Sequence, residues 1–164
     1  MRRKRRPADS EDAQAARERC LRLLSLRSRS TAELRERLAR AGYGEGVTEQ
    51  VLADLSEAGL LDDEEFARAW VASRQVAGGA GRQKLRWELR RKGVSQDVIR
   101  REVDEAITDE MELEQGLRLA RRRMAGRPAE AEALRRVRRL LLGRGFGFDT
   151  VEQVLRRLTR EAEF

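Results

Sequence analysis

One apolar pattern, written three times, limits what this chain can fold into. Leu34 and Leu38 precede Gly42, and Leu52 and Leu55 follow it. The same spacing returns 51 residues later as Leu85, Leu89, Gly93, Val103 and Ala106, and 52 residues beyond that as Val137, Leu141, Gly145, Leu155 and Leu158. The residue after each glycine is also apolar: Tyr43, Val94 and Phe146. A period near fifty with helical spacing inside each copy is the mark of a tandem array of small helical units. The fold class expected is therefore all-α: three tandem three-helix repeats forming an elongated, curved chain, with no strand.

Start and stop signals divide each copy into three helices. The first copy reads as helices near 12–27, 31–41 and 47–58, with Ser30 and Glu33 at the spacing of a capping box. The second reads as 63–76, 81–92 and 96–107. Asp62 or Asp63 serves as an N-cap with further acids in the first turn, and Ser95 caps the last helix. The third reads as 109–125, 129–143 and 150–162, with Asp149 and Glu152 as another capping-box pair and Gly126-Arg127-Pro128 as a turn. Gly42, Gly93 and Gly145 stand where a helix ends in a left-handed residue. The domain boundaries that follow are a disordered basic tail over 1–14, then repeats over 15–61, 62–108 and 109–164.

Charge follows the repeats. The chain carries 36 basic and 29 acidic residues, a formal net charge of +7, which suits an anionic partner. The middle helix of each copy is basic and the junctions are acidic: residues 45–65 hold eight acids and no base, and residues 102–115 hold seven acids and no base. With no histidine, a single cysteine and no nucleophile beside a base, the chain lacks the usual means of catalysis, and neither cofactor nor metal is expected. Four consecutive acids, Asp62 to Glu65, point around a helix and do not converge on an ion. Cys20 falls in an apolar phase with Leu23 and Leu24 and reads as a core thiol. No apolar run approaches the ~20 residues of a membrane span. A cytoplasmic monomer that does not act on membranes is expected.

The candidate partner-binding residues lie on the basic middle helices. Arg35, Arg86 and Arg138 occupy equivalent positions in the three copies. In the central copy Arg82, Lys84, Arg90 and Arg91 surround Trp87, whose counterparts are Glu36 and Arg139, so the position normally faces water. An exposed aromatic among arginines can fill a partner's pocket, stack on a nucleobase or pack on a neighbouring repeat. Phe66, Trp70, Leu85, Leu89 and Gly93 read as the structural core of that copy.

Gly59-Leu60-Leu61-Asp62-Asp63 leading to Phe66-Ala67 and Arg74, then Leu89-Arg90-Arg91-Lys92-Gly93-Val94, resembles the RecX regulatory proteins over about residues 15–160. The resemblance implies three tandem three-helix repeats and a non-enzymatic modulator of the RecA recombinase. Such a protein binds the RecA filament on single-stranded DNA and suppresses ATP hydrolysis, strand exchange and coprotease activity, restraining recombination and the SOS response. Direct DNA binding is a further property of some members. A different class, a sequence-nonspecific DNA-binding protein with helix-turn-helix-like units, is the alternative reading of the same basic helices.

Overall fold

A computed structural model describes residues 7–125 and 130–162, with side chains from residue 12 onward. Among the described residues there are nine α-helices and no strand: α1 (Pro7–Leu26), α2 (Thr31–Arg40), α3 (Glu45–Glu57), α4 (Asp63–Val76), α5 (Arg82–Arg91), α6 (Gln96–Ile99), α7 (Asp109–Met124), α8 (Ala131–Gly143) and α9 (Phe148–Ala162). A π-helical segment, Arg100–Glu105, prolongs α6. The three glycines that close the middle helices all take positive φ, +88° at Gly42, +71° at Gly93 and +78° at Gly145, a conformation glycine adopts without steric cost.

Three expectations need correction. The N-terminal helix begins at Pro7, so residues 7–14 are helical where a disordered tail was expected. Proline suits a first helical turn, because its missing N–H would have no partner within the helix there. Residues 1–6 and the Gly126-Arg127-Pro128 turn lie outside the described residues, and Ala125 ends α7 in the left-handed conformation. Asp149 and Glu152 form no capping box, because α9 already begins at Phe148.

The third correction concerns the repeat itself. Leu52 and Val103 are 51 residues apart, but Ala106 is exposed and Ile107 is the buried counterpart of Leu55. The central copy thus carries one additional residue in its third helix. The wide turns of the π segment absorb it, so Ile99, Val103 and Ile107 face inward at successive four-residue steps.

The chain forms two compact units. The first comprises the described residues up to Phe66 together with Lys92–Val94. Ala16 and Cys20 of α1, Leu34 and Leu38 of α2, and Val51, Leu52 and Leu55 of α3 make one apolar core. Burial pushes the Cys20 thiol up. The start of α2 is closed by the expected capping box: Glu33 N–H donates to Ser30 Oγ (3.2 Å) and Ser30 N–H donates to Glu33 Oε2 (3.1 Å). The two aspartates divide their work. Asp62 Oδ1 accepts from the amides of Glu64 (2.8 Å) and Glu65 (3.1 Å), while Asp63 Oδ1 accepts from the Thr31 amide (2.8 Å) and hydroxyl (3.0 Å). Ser30 Oγ donates to the carbonyl of Lys92, and Lys92 Nζ donates to Glu33 Oε1 (2.9 Å). Gly93 follows, so close to Ala32 that a side chain on it would collide with the Ala32 Cβ.

The second unit comprises Ala67–Arg91 and Ser95 onward. Its largest core joins Leu113, Leu117 and Ala120 of α7, Val137 and Leu141 of α8, Phe146, and Val151, Val154 and Leu158 of α9. The arrangement seen at Ser30 recurs fifty-one residues on: Gly81 N–H donates to the carbonyl of Arg144 (2.9 Å) and Gln83 N–H to that of Gly145 (3.1 Å). In each unit a middle helix therefore begins against the glycine turn that closes the next one.

Candidate partner-binding surface

The central basic helix α5 starts without a local side-chain cap, in contrast to α2. Its first free amides are satisfied from elsewhere in the second unit: Gln83 N–H by Gly145, and Arg82 N–H by Glu112 Oε1 (2.8 Å). Leu85 and Leu89 are fully buried and fix which way the helix faces. Every other residue of α5 then has a determined place.

Arg82 faces inward. Its guanidinium meets Glu112 (3.0 Å), which is 1% exposed, and also Asp109 and the Ile107 carbonyl, while Thr150 Oγ1 donates to the same Glu112 carboxylate (3.2 Å). This residue, expected on the binding surface, instead joins α5 to α7 and α9. Arg86 pairs with Asp104 at 2.6 Å. Glu88 accepts from Trp70 Nε1 (2.8 Å) and Arg74 Nε (2.9 Å), and the Arg74 guanidinium lies 4.4 Å from the centre of the Trp70 ring. Trp70 is consequently half-buried rather than enclosed, unlike Phe66, which is 4% exposed, because its indole N–H reaches a carboxylate at the surface.

The recurrence of Arg35, Arg86 and Arg138 has a structural cause. Arg35 pairs with Glu49 (2.6 Å), and Arg138 meets Glu152 at 2.8 Å, an ion pair lacking the alignment of a hydrogen bond. The two pairs are in register between the first and third copies. In the central copy the corresponding positions are Arg100 and Arg101, so Arg86 turns to Asp104 in the π segment. Each arginine ties the middle helix of its copy to the third, and a shared binding surface is not needed to explain them.

What α5 presents to solvent is Gln83, Lys84, Trp87, Arg90 and Arg91. Trp87 is 55% exposed, and the Arg91 guanidinium lies 4.8 Å from its ring centre, a cation–π contact. Arg90 Nε donates to Gln96 Oε1 at 3.3 Å. A large apolar ring framed by three cations suits a partner offering an apolar cleft with acidic or phosphate rims. The sequence reading gave no role to Arg122, Arg123, Arg136, Arg139 and Arg144, which line an open groove of about 810 Å³ in the second unit. Only the excess of ten arginines between residues 118 and 144 hinted at it.

This arrangement of helices and repeats has known counterparts. Models of the first, second and third three-helix domains of RecX match residues 16–55, 62–102 and 109–155. The chain belongs to the RecX family. It is 40% identical to the regulatory protein RecX of Mycolicibacterium smegmatis, an alignment covering 84% of this chain and 80% of that one. It is 38% identical to the regulatory protein RecX of Mycobacterium leprae, covering 96% and 94%. The crystal structure of RecX from Lactobacillus salivarius superimposes with a TM-score of 0.81 at 19% identity, covering 91% of this chain and 97% of that chain. The relatives are named as regulatory proteins, and no described helix here is long and apolar enough to cross a membrane.

Proposed function

We propose that this RecX-family protein binds the RecA filament on single-stranded DNA and inhibits its ATP hydrolysis, strand exchange and coprotease activity, restraining recombination and the SOS response in the cytoplasm. The contact surface is the solvent face of α5, with Trp87 as its anchor and Lys84, Arg90 and Arg91 around it. The observation that carries this reading is the 55% exposure of Trp87 on a helix whose other large apolar residues are fully buried. A tryptophan costs free energy in water, and on a binding face its burial supplies several kcal/mol to a complex. Arg82, Arg86 and Arg138 are occupied by internal ion pairs and play supporting parts.

The test is a Trp87→Ala, Arg91→Glu variant. Both side chains are exposed and their contact is with each other, so the melting curve should stay nearly unchanged. Co-sedimentation with RecA filaments should weaken at least ten-fold, about 1.4 kcal/mol, and inhibition of ATP hydrolysis should fall in parallel. A stable variant that inhibits like the parent would remove α5 as the contact surface.

A further inference from the structure

We infer that a cleft in the second unit, where α5 meets the first turns of α7 and α9, seats an arginine side chain of a protein partner on Phe148 and Asp149. The cleft encloses about 460 Å³, and five charged residues line it, three acidic and two basic. The two bases are spent. Arg82 is held by Glu112 and Asp109, and Arg86 by Asp104, which lies outside the lining. Both oxygens of the buried Glu112 are taken as well, by the Arg82 amide and guanidinium and by the Thr150 hydroxyl. Asp149 makes no hydrogen bond or ion pair with any described residue. Beside it Phe148 is 59% exposed, at a position where the other two copies carry Glu45 and Gln96. Neither burial nor the repeat accounts for an aromatic ring there.

The same chain shows what a ring and a carboxylate hold together. At Trp70 the Arg74 guanidinium lies 4.4 Å from the ring centre, while its Nε donates to Glu88 at 2.9 Å. The ring face attracts the cation and the carboxylate accepts from its planar fork. Phe148 and Asp149 both line the cleft and lack only the guanidinium. Lysine is the poorer ligand, since its compact ammonium is strongly hydrated and does not stack. The acids do not suit a metal ion, because among the described residues no three such ligands converge. A phosphate chain would meet Asp109 and Asp149 and be repelled. The cleft also adjoins the Trp87 face. Gln83, in its lining, and Trp87 are both exposed and stand four residues apart on one side of α5. A partner covering Trp87 therefore reaches the cleft. A protein can offer acids to Arg90 and Arg91 and an arginine to Asp149, whereas nucleic acid has no cation to give.

Seating of an arginine can be tested without the recombinase, whereas a role for the cleft in a filament complex rests on that reading, so two experiments keep them apart. In the first, the full chain labelled with nitrogen-15 is titrated with N-acetyl-arginine amide and its backbone amide resonances are followed. Saturable shifts are expected at Gln83, Gly147, Phe148 and Asp149. They should be weaker with N-acetyl-lysine amide and lost in Phe148→Ala with Asp149→Asn. Both positions are exposed, so the variant should keep the parent's melting curve. Absence of saturable shifts, equal shifts from the two amides, or shifts retained by the variant would overturn the site. In the second, the same variant is co-sedimented with RecA filaments on single-stranded DNA and, separately, its binding to a labelled oligothymidylate is measured. Filament binding should weaken about ten-fold or more. Oligothymidylate binding should hold within about two-fold or tighten, because removing an acid leaves the chain more basic. Unchanged filament binding would overturn the cleft as a contact, and an equal loss on oligothymidylate would give it to nucleic acid instead. Loss here without loss in Trp87→Ala, Arg91→Glu would refute the α5 face and keep the cleft. A parent that does not bind the filament would refute the recombinase reading and leave the arginine titration to decide the site.

Discussion

Replacing Glu33 by glutamine removes one charge from a cluster at the start of α2 while keeping its shape. Glutamine still accepts from the Ser30 amide, so the capping box survives and the loss is confined to the ion pairs with Lys92 (2.9 Å) and Arg27 (3.0 Å). Burial pushes the Glu33 carboxyl up, but hydrogen bonds from Arg27, Lys92 and the Ser30 amide outweigh it and hold its pKa at about 2, against 4.5 in a free chain. A shift of that size corresponds to roughly 3 kcal/mol. Glu33 is 17% exposed and Arg27 45%, and solvent screening reduces the expected contribution to about 1–2 kcal/mol. Because the folded pKa is the lower one, this stability is present above pH 4.5 and is lost as the pH falls toward 2. Urea unfolding followed by far-ultraviolet circular dichroism at pH 7, 4.5, 3 and 2 reads it directly. The parent should exceed Glu33→Gln by about 1–2 kcal/mol at pH 7, by nearly as much at pH 4.5, by about half near pH 3 and by almost nothing at pH 2. A gap that persists unchanged to pH 2 would mean that glutamine disturbs packing rather than charge. No gap at pH 7 would mean that water already screens the cluster.

Two further outcomes follow from the second unit. Arg82→Ala strands the buried carboxylate of Glu112 and should cost about 3 kcal/mol in chemical denaturation, which would confirm it as an internal strut; a loss below ~0.5 kcal/mol would return it to the binding surface. Ile107→Ala should cost about 2–5 kcal/mol, whereas Ala106→Ser should change the midpoint little, and the reverse order would show that the additional residue of the central copy is not absorbed at the π segment.

What the sequence determined by itself was local and periodic. Leucines at helical spacing, three glycines in register and the Ser30–Glu33 pair set the helices to within a few residues, because caps and apolar stripes are written in adjacent positions. The pairing of charges was decided only in three dimensions. Arg82 and Arg90 look alike along α5, yet one meets the buried Glu112 and the other faces solvent, since the partner carboxylate comes from α7, thirty residues away. Asp62 and Asp63 are neighbours, but one caps its own helix and the other reaches the start of α2. Trp70 shares a stripe with Phe66 in sequence and leaves it in space, because Glu88 offers its indole a hydrogen bond at the surface. The arginines of α7 and α8 formed no motif along the chain. They became a groove only when packing around Phe146 set those two helices side by side, since the distance between charges on different helices is fixed by their common core and not by their order in the chain.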